Sequence, residues 1–323
     1  MNTIKVFAEG VARQIHDFLP AEYGDVQCEI REKLENNGVR LVGIEFNKPD
    51  SPVCPVIYMD SYYESIKQGK EVKAVMQNIA NSYIQHERRS RGIEAGGLMD
   101  YEHVKKWIEP LLLNTADNRE MLAQMPHRKM ADLSIFYNVV FPDQGDDMRA
   151  SIRIENGHMS YWGISEQDLY AQAVSNMEGR ENNALFSMDS LIAAMLTGRD
   201  DGRNLLAAGP GEHVEPLSDG MYVLTNEKKI YGASLLAVPG IMEKVHRLFP
   251  DGFYILPSSV HETIILPKQY GIPAKELGEL VRDINRAEVD RKEQLSDCIY
   301  EYDQEKSVIR QVPESIRRRE MER

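Results

Sequence analysis

The chain opens with Ile4, Phe7, Val11, Ile15 and Phe18 at steps of three and four. That spacing lays one apolar stripe along a helix, which Pro20 ends. The period then changes to two. Val26, Cys28 and Ile30 alternate with Gln27, Glu29 and Arg31, and Val42, Ile44 and Phe46 resume beyond Asn36-Asn37-Gly38. Alternation around residues that tolerate positive φ predicts a β-hairpin over Asp25–Asn47. A strand at Pro55–Met59 and helices at Ser61–Gln68 and Glu71–Gln85 follow, the last with Val72, Val75, Met76, Ile79 and Tyr83 on one side. The charged stretch His86–Gly97 reads as an exposed loop.

Beyond it, a short helix near Tyr101–Lys106, an apolar run Ile108–Leu113 and a helix at Asn118–Gln124 lead to the apolar strand Leu133–Phe141. Pro142–Asp147 reads as a loop before a strand at Ala150–Ile154. Ser165 is a suitable N-cap for a helix over Glu166–Ser175, whose acidic first turn suits the helix dipole. Asp189–Leu196 is a short apolar helix, and the Gly-, Pro- and Asp-rich Gly198–Gly220 a long surface loop or an inter-lobe crossing. Met221–Thr225 and Ile230–Ala237 read as strands, and Pro239 opens a helix. Phe253–Leu256 and Thr263–Leu266 are apolar runs expected to be covered strands. Pro273 opens the last helix, with Leu277, Leu280, Val281 and Ile284 inward. Cys298, Tyr300 and Tyr302 then alternate before a turn at Asp303–Lys306 and a return strand at Val308–Val312.

Irregular alternation of helices with antiparallel hairpins predicts an α+β fold, with mixed, largely antiparallel sheets and flanking helices in two lobes. The expected division is an N-terminal lobe over 1–145, a C-terminal lobe over 146–296, and a terminal hairpin with a basic tail over 297–323. A length of 323 residues, 42% hydrophobic and 28% charged, supports such a core.

Charge narrows the functional classes. Lys+Arg 38 against Asp+Glu 51 gives a formal net charge of -13, which disfavours nucleic-acid backbone. The basic clusters, Arg88, Arg89 and Arg91 and then Arg317, Arg318 and Arg319, read as solvated surface, with weak nucleic-acid binding as the alternative. Cys28, Cys54 and Cys298 are too far apart for a CxxC pair, so neither a zinc knuckle nor a disulfide framework is indicated. That suits a reducing compartment. Glu9, Arg13, His16 and Asp17 interrupt the first helix, so no secretory leader is expected. No apolar run reaches the roughly 18 residues of a membrane span, and the cytoplasm is the expected location.

The densest polar cluster is Ser258-Ser259-Val260-His261-Glu262, between two apolar strands. Serine, histidine and a carboxylate are the parts of a nucleophilic site, and Ser259 and His261 share a face if extended. The competing reading is a strand-to-strand turn whose serines satisfy main-chain groups. His261-Glu262 begins an HExxH pattern, but Ile265 holds its fifth position and the segment is strand-like, so zincin chemistry is rejected. His127 and Arg128, with Asp132 nearby, could hold a carboxylate or phosphate; the alternative is a solvated edge with a local ion pair. Gly209-Pro210-Gly211 fits neither a dinucleotide nor a Walker loop. No metal and no cofactor are expected.

The stretches PVIYMDSYYESIKQGK, MPHRKMADLSIFYNVVF, YVLTNEKKIYGASLLAVPGIMEKV and FYILPSSVHETIILP resemble domain-of-unknown-function family 5688, common in anaerobic Gram-positive gut bacteria. INRAEVDRKEQLSDCIYEYD is similar to a segment shared by proteins of conjugative and other mobile elements in those bacteria. The resemblance implies a bacterial cytoplasmic context and mobile-element cargo, and carries no substrate or catalytic role.

With no complete catalytic, metal or nucleotide motif, the leading expectation is a non-enzymatic binding or accessory protein. Its partners would be proteins, and interference with host defence is one form of the reading. The alternative is a hydrolase or transferase using His261, Glu262 and one of Ser258 or Ser259.

Overall fold

The computed structural model describes residues 3–49, 54–90, 97, 99–141, 151–198, 202–207, 217, 220–257 and 259–313, without the side chains of Arg89 and Ser90. The chain divides into two compact units, Met1–His103 and Val104–Arg323. The expected lobe boundary at 145 and the expected loop Pro142–Asp147 lie outside the described residues.

In the first unit, α1 (Thr3–Gln14) is followed by a 3-10 turn over Ile15–Phe18, so the apolar stripe persists while the helix tightens ahead of Pro20. β1 (Gln27–Leu34) and β2 (Arg40–Asn47) pair antiparallel with Ile30 opposite Ile44, and β3 (Val56–Tyr58) adds to β2. The hairpin turns where the sequence placed it. Asn37 and Gly38 have φ of 57° and 71°, values that asparagine and glycine accept at least cost. α2 (Asp60–Lys67) and α3 (Val72–Ser90) complete the unit. Its core gathers Val11, Ile15, Tyr23, Ile44, Phe46, Met59, Ile79 and Tyr83, with the Phe46 and Tyr83 rings stacked at 4.4 Å.

α3 runs on through Ser90, so His86 to Ser90 is helix where an exposed loop was expected. The reason lies one turn beyond Tyr83. Glu87 falls on the same face, is only 4% exposed, accepts a hydrogen bond from Tyr23 Oη and lies 3.5 Å from Lys48 Nζ. A buried carboxylate with a donor and a cation extends the inward face by a turn that a hydrophobic pattern does not record.

α4 (Tyr101–Val104) ends at the first residue of the second unit, which continues with β4 (Ile108–Asn114), α5 (Arg119–Leu122), β5 (Arg128–Met130), β6 (Leu133–Val140) and β7 (Ser151–Arg153). β4 pairs along β6, while β5 and β7 pair with its two ends. Next come α6 (Asn156–Trp162), α7 (Glu166–Glu178), β8 (Asn183–Ser187), α8 (Met188–Thr197) and β9 (Tyr222–Asn226). α9 (Pro239–Leu248), β10 (Phe253–Leu256), β11 (Thr263–Pro267), α10 (Ala274–Glu288), β12 (Tyr300–Asp303) and β13 (Val308–Gln311) follow. A six-stranded sheet runs β13-β12-β10-β11-β9-β8. Every named pairing is antiparallel, and the fold is α+β.

The structure departs from two further expectations. Ile230–Ala237 is not a strand: Tyr231 has a φ of 54°, and Gly232–Ala237 forms a fully buried 3-10 turn. The turn's first N–H groups are satisfied by His261 O and Val260 O, at 2.9 and 3.3 Å from Gly232 N and Ala233 N. On α10, Leu277 and Val281 are buried as expected against Leu256, Leu266 and Ile299. Leu280 and Ile284 are instead 51% and 37% exposed, and Asn285 takes the inward place. Asn285 Nδ2 donates to Ser296 O at 3.1 Å and Asp297 Oδ1 at 2.7 Å, bonds that fix the rotation of the helix.

Candidate functional site

The segment between β10 and β11 carries the nucleophile-like residues. Ser258 lies outside the described residues. Ser259 Oγ accepts the main-chain N–H of His261 at 3.0 Å, and Val260 N–H donates to Glu293 O at 2.8 Å. His261 Nδ1 accepts the N–H of Tyr231 at 3.3 Å, which leaves the proton of a neutral imidazole on Nε2. Nε2 lies 3.9 Å from Glu293 Oε1, and the ring is 5.4 Å from that of Tyr231. The carbonyl of His261 is also held, by Gly232 N–H and Thr225 Oγ1, each at 2.9 Å. Glu262 is exposed. Both the ring and the carbonyl of His261 therefore tie the 3-10 turn to the β10–β11 connection. Ser259 Oγ closes the turn by accepting a main-chain N–H.

His127, Arg128 and Asp132 lie on or beside β5, and their hydrogen bonds lead to three different places. His127 is exposed, with Nδ1 2.9 Å from Met125 O. Arg128 is occupied by Glu166, with Nε to Oε1 at 2.9 Å and Nη2 to Oε2 at 2.8 Å. Tyr137 Oη donates to the same carboxylate. The guanidinium carbon lies 3.7 Å from the centre of the Tyr170 ring, whose hydroxyl donates to Ala237 O at 3.1 Å. Burial pushes the Glu166 carboxyl up, but the hydrogen bonds from Arg128 and Tyr137 and the charge of Arg128 outweigh it and hold Glu166 below its ordinary value. This is a neutralised, two-point ion pair, with its cation already spent.

Asp132 faces the C-terminal hairpin. Its Oδ1 accepts from Tyr300 Oη at 2.5 Å, and its Oδ2 from Ser296 Oγ at 3.0 Å and Asn114 Nδ2 at 3.4 Å. Tyr300 is fully buried, and burial together with the neighbouring Asp132 carboxylate raises its hydroxyl far above the ordinary tyrosine range. Sequence reasoning missed Tyr137, Glu166, Ser296 and Tyr300 as partners. Tyr137 stands in an apolar strand, Glu166 read as a helix-dipole residue, and the other two lie 164 and 168 residues from Asp132. No local pattern links positions so far apart.

Among the described residues no group of three or more His, Cys, Asp or Glu is placed to hold a metal ion. Nor is any helix of them long and apolar enough to cross a membrane. Arg88 is exposed at the end of α3; Arg91 and Arg317–Arg319 lie outside the described residues.

One surface stands out by its chemistry. α8 reads MDSLIAAMLT and contains no buried residue. Ile192, Met195 and Leu196 are 48%, 84% and 82% exposed, at positions i, i+3 and i+4, and so form one stripe. An apolar helix was expected at Asp189–Leu196. Its exposure was not, because periodicity alone would bury such a segment.

No curated protein and no solved structure matches this chain. A family model described as a family of unknown function (DUF5688) matches residues 4–304, and the chain belongs to that family.

Proposed function

We propose that this chain is a non-enzymatic protein of the bacterial cytoplasm that acts by binding protein through the apolar stripe of α8. The carrying observation is the exposure of Ile192, Met195 and Leu196 on a helix with no buried residue. Contiguous apolar surface of this kind is characteristic of interaction sites, and methionine adapts to irregular partner surfaces. All three cysteines are free, in keeping with a reducing compartment. The resemblance of Ile284–Asp303 to segments of mobile-element proteins belongs to the same reading, with host defence as one setting. The reading draws nothing from the connection holding Ser259, His261 and Glu262, where Ser259 Oγ accepts the main-chain N–H of His261.

The test places a photo-crosslinking amino acid at Met195 in the full chain, expressed in a bacterial host. A discrete protein adduct, lost when Leu196→Glu is added, is the expected result. Absence of any adduct, or adducts indifferent to Leu196→Glu, would overturn the reading.

A further inference from the structure

The sulfur atoms of the chain are unevenly exposed. Met195 is 84% exposed, whereas Met59, Met177 and Met242 are at most 3% exposed and the exposed Met99 and Met221 reach 48% and 45%. No other described methionine offers its thioether so openly. The thiols compete poorly for an oxidant. All three cysteines are half-buried. Burial pushes the Cys28 thiol up to about 11, and burial with the Glu45 charge holds Cys54 above its ordinary value, so both stay largely as the unreactive thiol.

Exposure also decides what an added oxygen does. At Met177 or Met242 it would enter the core. At Met195 it displaces no core contact, because α8 contains no buried residue. What it changes is the stripe. From Ser190 to Thr197 the helix has no charged side chain, and Met195 shares its face with Ile192 and Leu196. A sulfoxide replaces the most adaptable group of that stripe by a polar acceptor, which an apolar partner surface cannot satisfy.

We infer that Met195 is a site of reversible oxidation, and that its sulfoxide switches off the binding surface of α8. The inference rests on the protein-binding reading and adds its regulation. The oxidant class is a peroxide. The thioether sulfur attacks one peroxide oxygen and gives up two electrons. An S–O bond forms, the O–O bond breaks, and the leaving hydroxide takes the remaining peroxide proton to depart as water. The reverse step needs a dithiol reductase, whose two thiols become a disulfide while the oxygen leaves as water. Such an enzyme must reach the sulfur, and at 84% exposure it can do so in the folded chain.

The experiment treats the purified full chain, carrying a photo-crosslinking amino acid at Ile192, with hydrogen peroxide and then catalase. Peptide mass spectrometry reads sulfoxide at each methionine, circular dichroism the fold, and irradiation in a bacterial extract the protein adduct. Met195 should gain oxygen at least about twofold faster than Met99 or Met221, with the fold unchanged. The adduct should fall at least about fivefold and return after treatment with methionine sulfoxide reductases A and B. Met195→Leu should keep the adduct after peroxide, and Met195→Gln should lack it before. Oxidation of Met99 or Met221 ahead of Met195 overturns the inference. So does an adduct that persists once Met195 is oxidised, or one that peroxide removes equally from Met195→Leu. An adduct absent from the untreated chain, with the crosslinker at Ile192 and at Met195 alike, removes the protein-binding reading itself and the switch with it.

Discussion

Arg128 and Glu166 stand 38 positions apart and meet in a two-point ion pair, Nε to Oε1 at 2.9 Å and Nη2 to Oε2 at 2.8 Å. The pair joins the short strand β5 to the first turn of α7, with Tyr137 of β6 beneath it and Tyr170 against the guanidinium. Planar, two-point geometry makes it worth more than an exposed surface pair. Glu166→Gln should destabilise the chain by about 1–2 kcal/mol, as expected for losing hydrogen bonds to a charged group. Urea denaturation measures this, and a change under about 0.3 kcal/mol would place the pair with ordinary surface contacts.

The same carboxylate predicts an acid response. Glu166 is held below its ordinary value, and so is Glu301, where burial again pushes upward but Lys268 and Arg310 prevail. A carboxylate with a depressed folded-state pKa contributes stability that is present above its unfolded value, about 4.3. That contribution is lost as the pH falls through the folded value. The urea midpoint should therefore drop as the pH is lowered below about 4.5. In Glu166→Gln the drop should be shallower; an unchanged slope would show that Glu166 gives no such linkage.

Asp132, Ser296 and Tyr300 form one buried network, because the Tyr300 hydroxyl reaches both Asp132 and Ser296, at 2.5 and 2.8 Å. Tyr300→Phe and Asp132→Asn should each cost about 1–3 kcal/mol. The double variant should cost clearly less than their sum, since each change strands the same partners. Additive losses in a double-mutant cycle would separate the two residues energetically.

Gly232 has no room for a side chain. A Cβ there would lie 2.6 Å from His261 O and 2.7 Å from Thr225 Cα, and closer still to Thr225 Oγ1. Two of those contacts are main-chain atoms of packed elements and cannot turn aside. Gly232→Ala should cost about 3 kcal/mol or more, within the range of severe overpacking. A variant melting within a degree or two of the parent would contradict the closeness of this approach.

Cys28 should be slow to react. Burial pushes its thiol up to about 11, so little thiolate exists at pH 8. Alkylation followed by mass spectrometry should show Cys28 labelled at least about tenfold more slowly than a free thiol of pKa about 8.5. Equal rates would mean that the thiol is not shielded as described.

The sequence by itself determined the elements whose physics is local. Ile4 to Phe18 on one face, the Asn36–Gly38 turn between alternating strands, and Pro239 at the start of α9 each depend on neighbours a few residues away. Antiparallel pairing was legible for the same reason, since hairpins join strands close in sequence. The tertiary structure alone decided four other matters. It continued α3 past Gln85 because Glu87 has Tyr23 and Lys48 as partners. It turned Ile230–Ala237 from a strand into a 3-10 turn, because the N–H groups of Gly232 and Ala233 find His261 O and Val260 O. It also sent Arg128 to Glu166 and Asp132 to Tyr300, which the motif could not do, and gave α8 no buried residue although its composition is that of a core helix. Composition and spacing record which residues prefer to leave water. Which partner satisfies a buried charge, and which apolar side chains end exposed, depends on chain segments brought together over many residues.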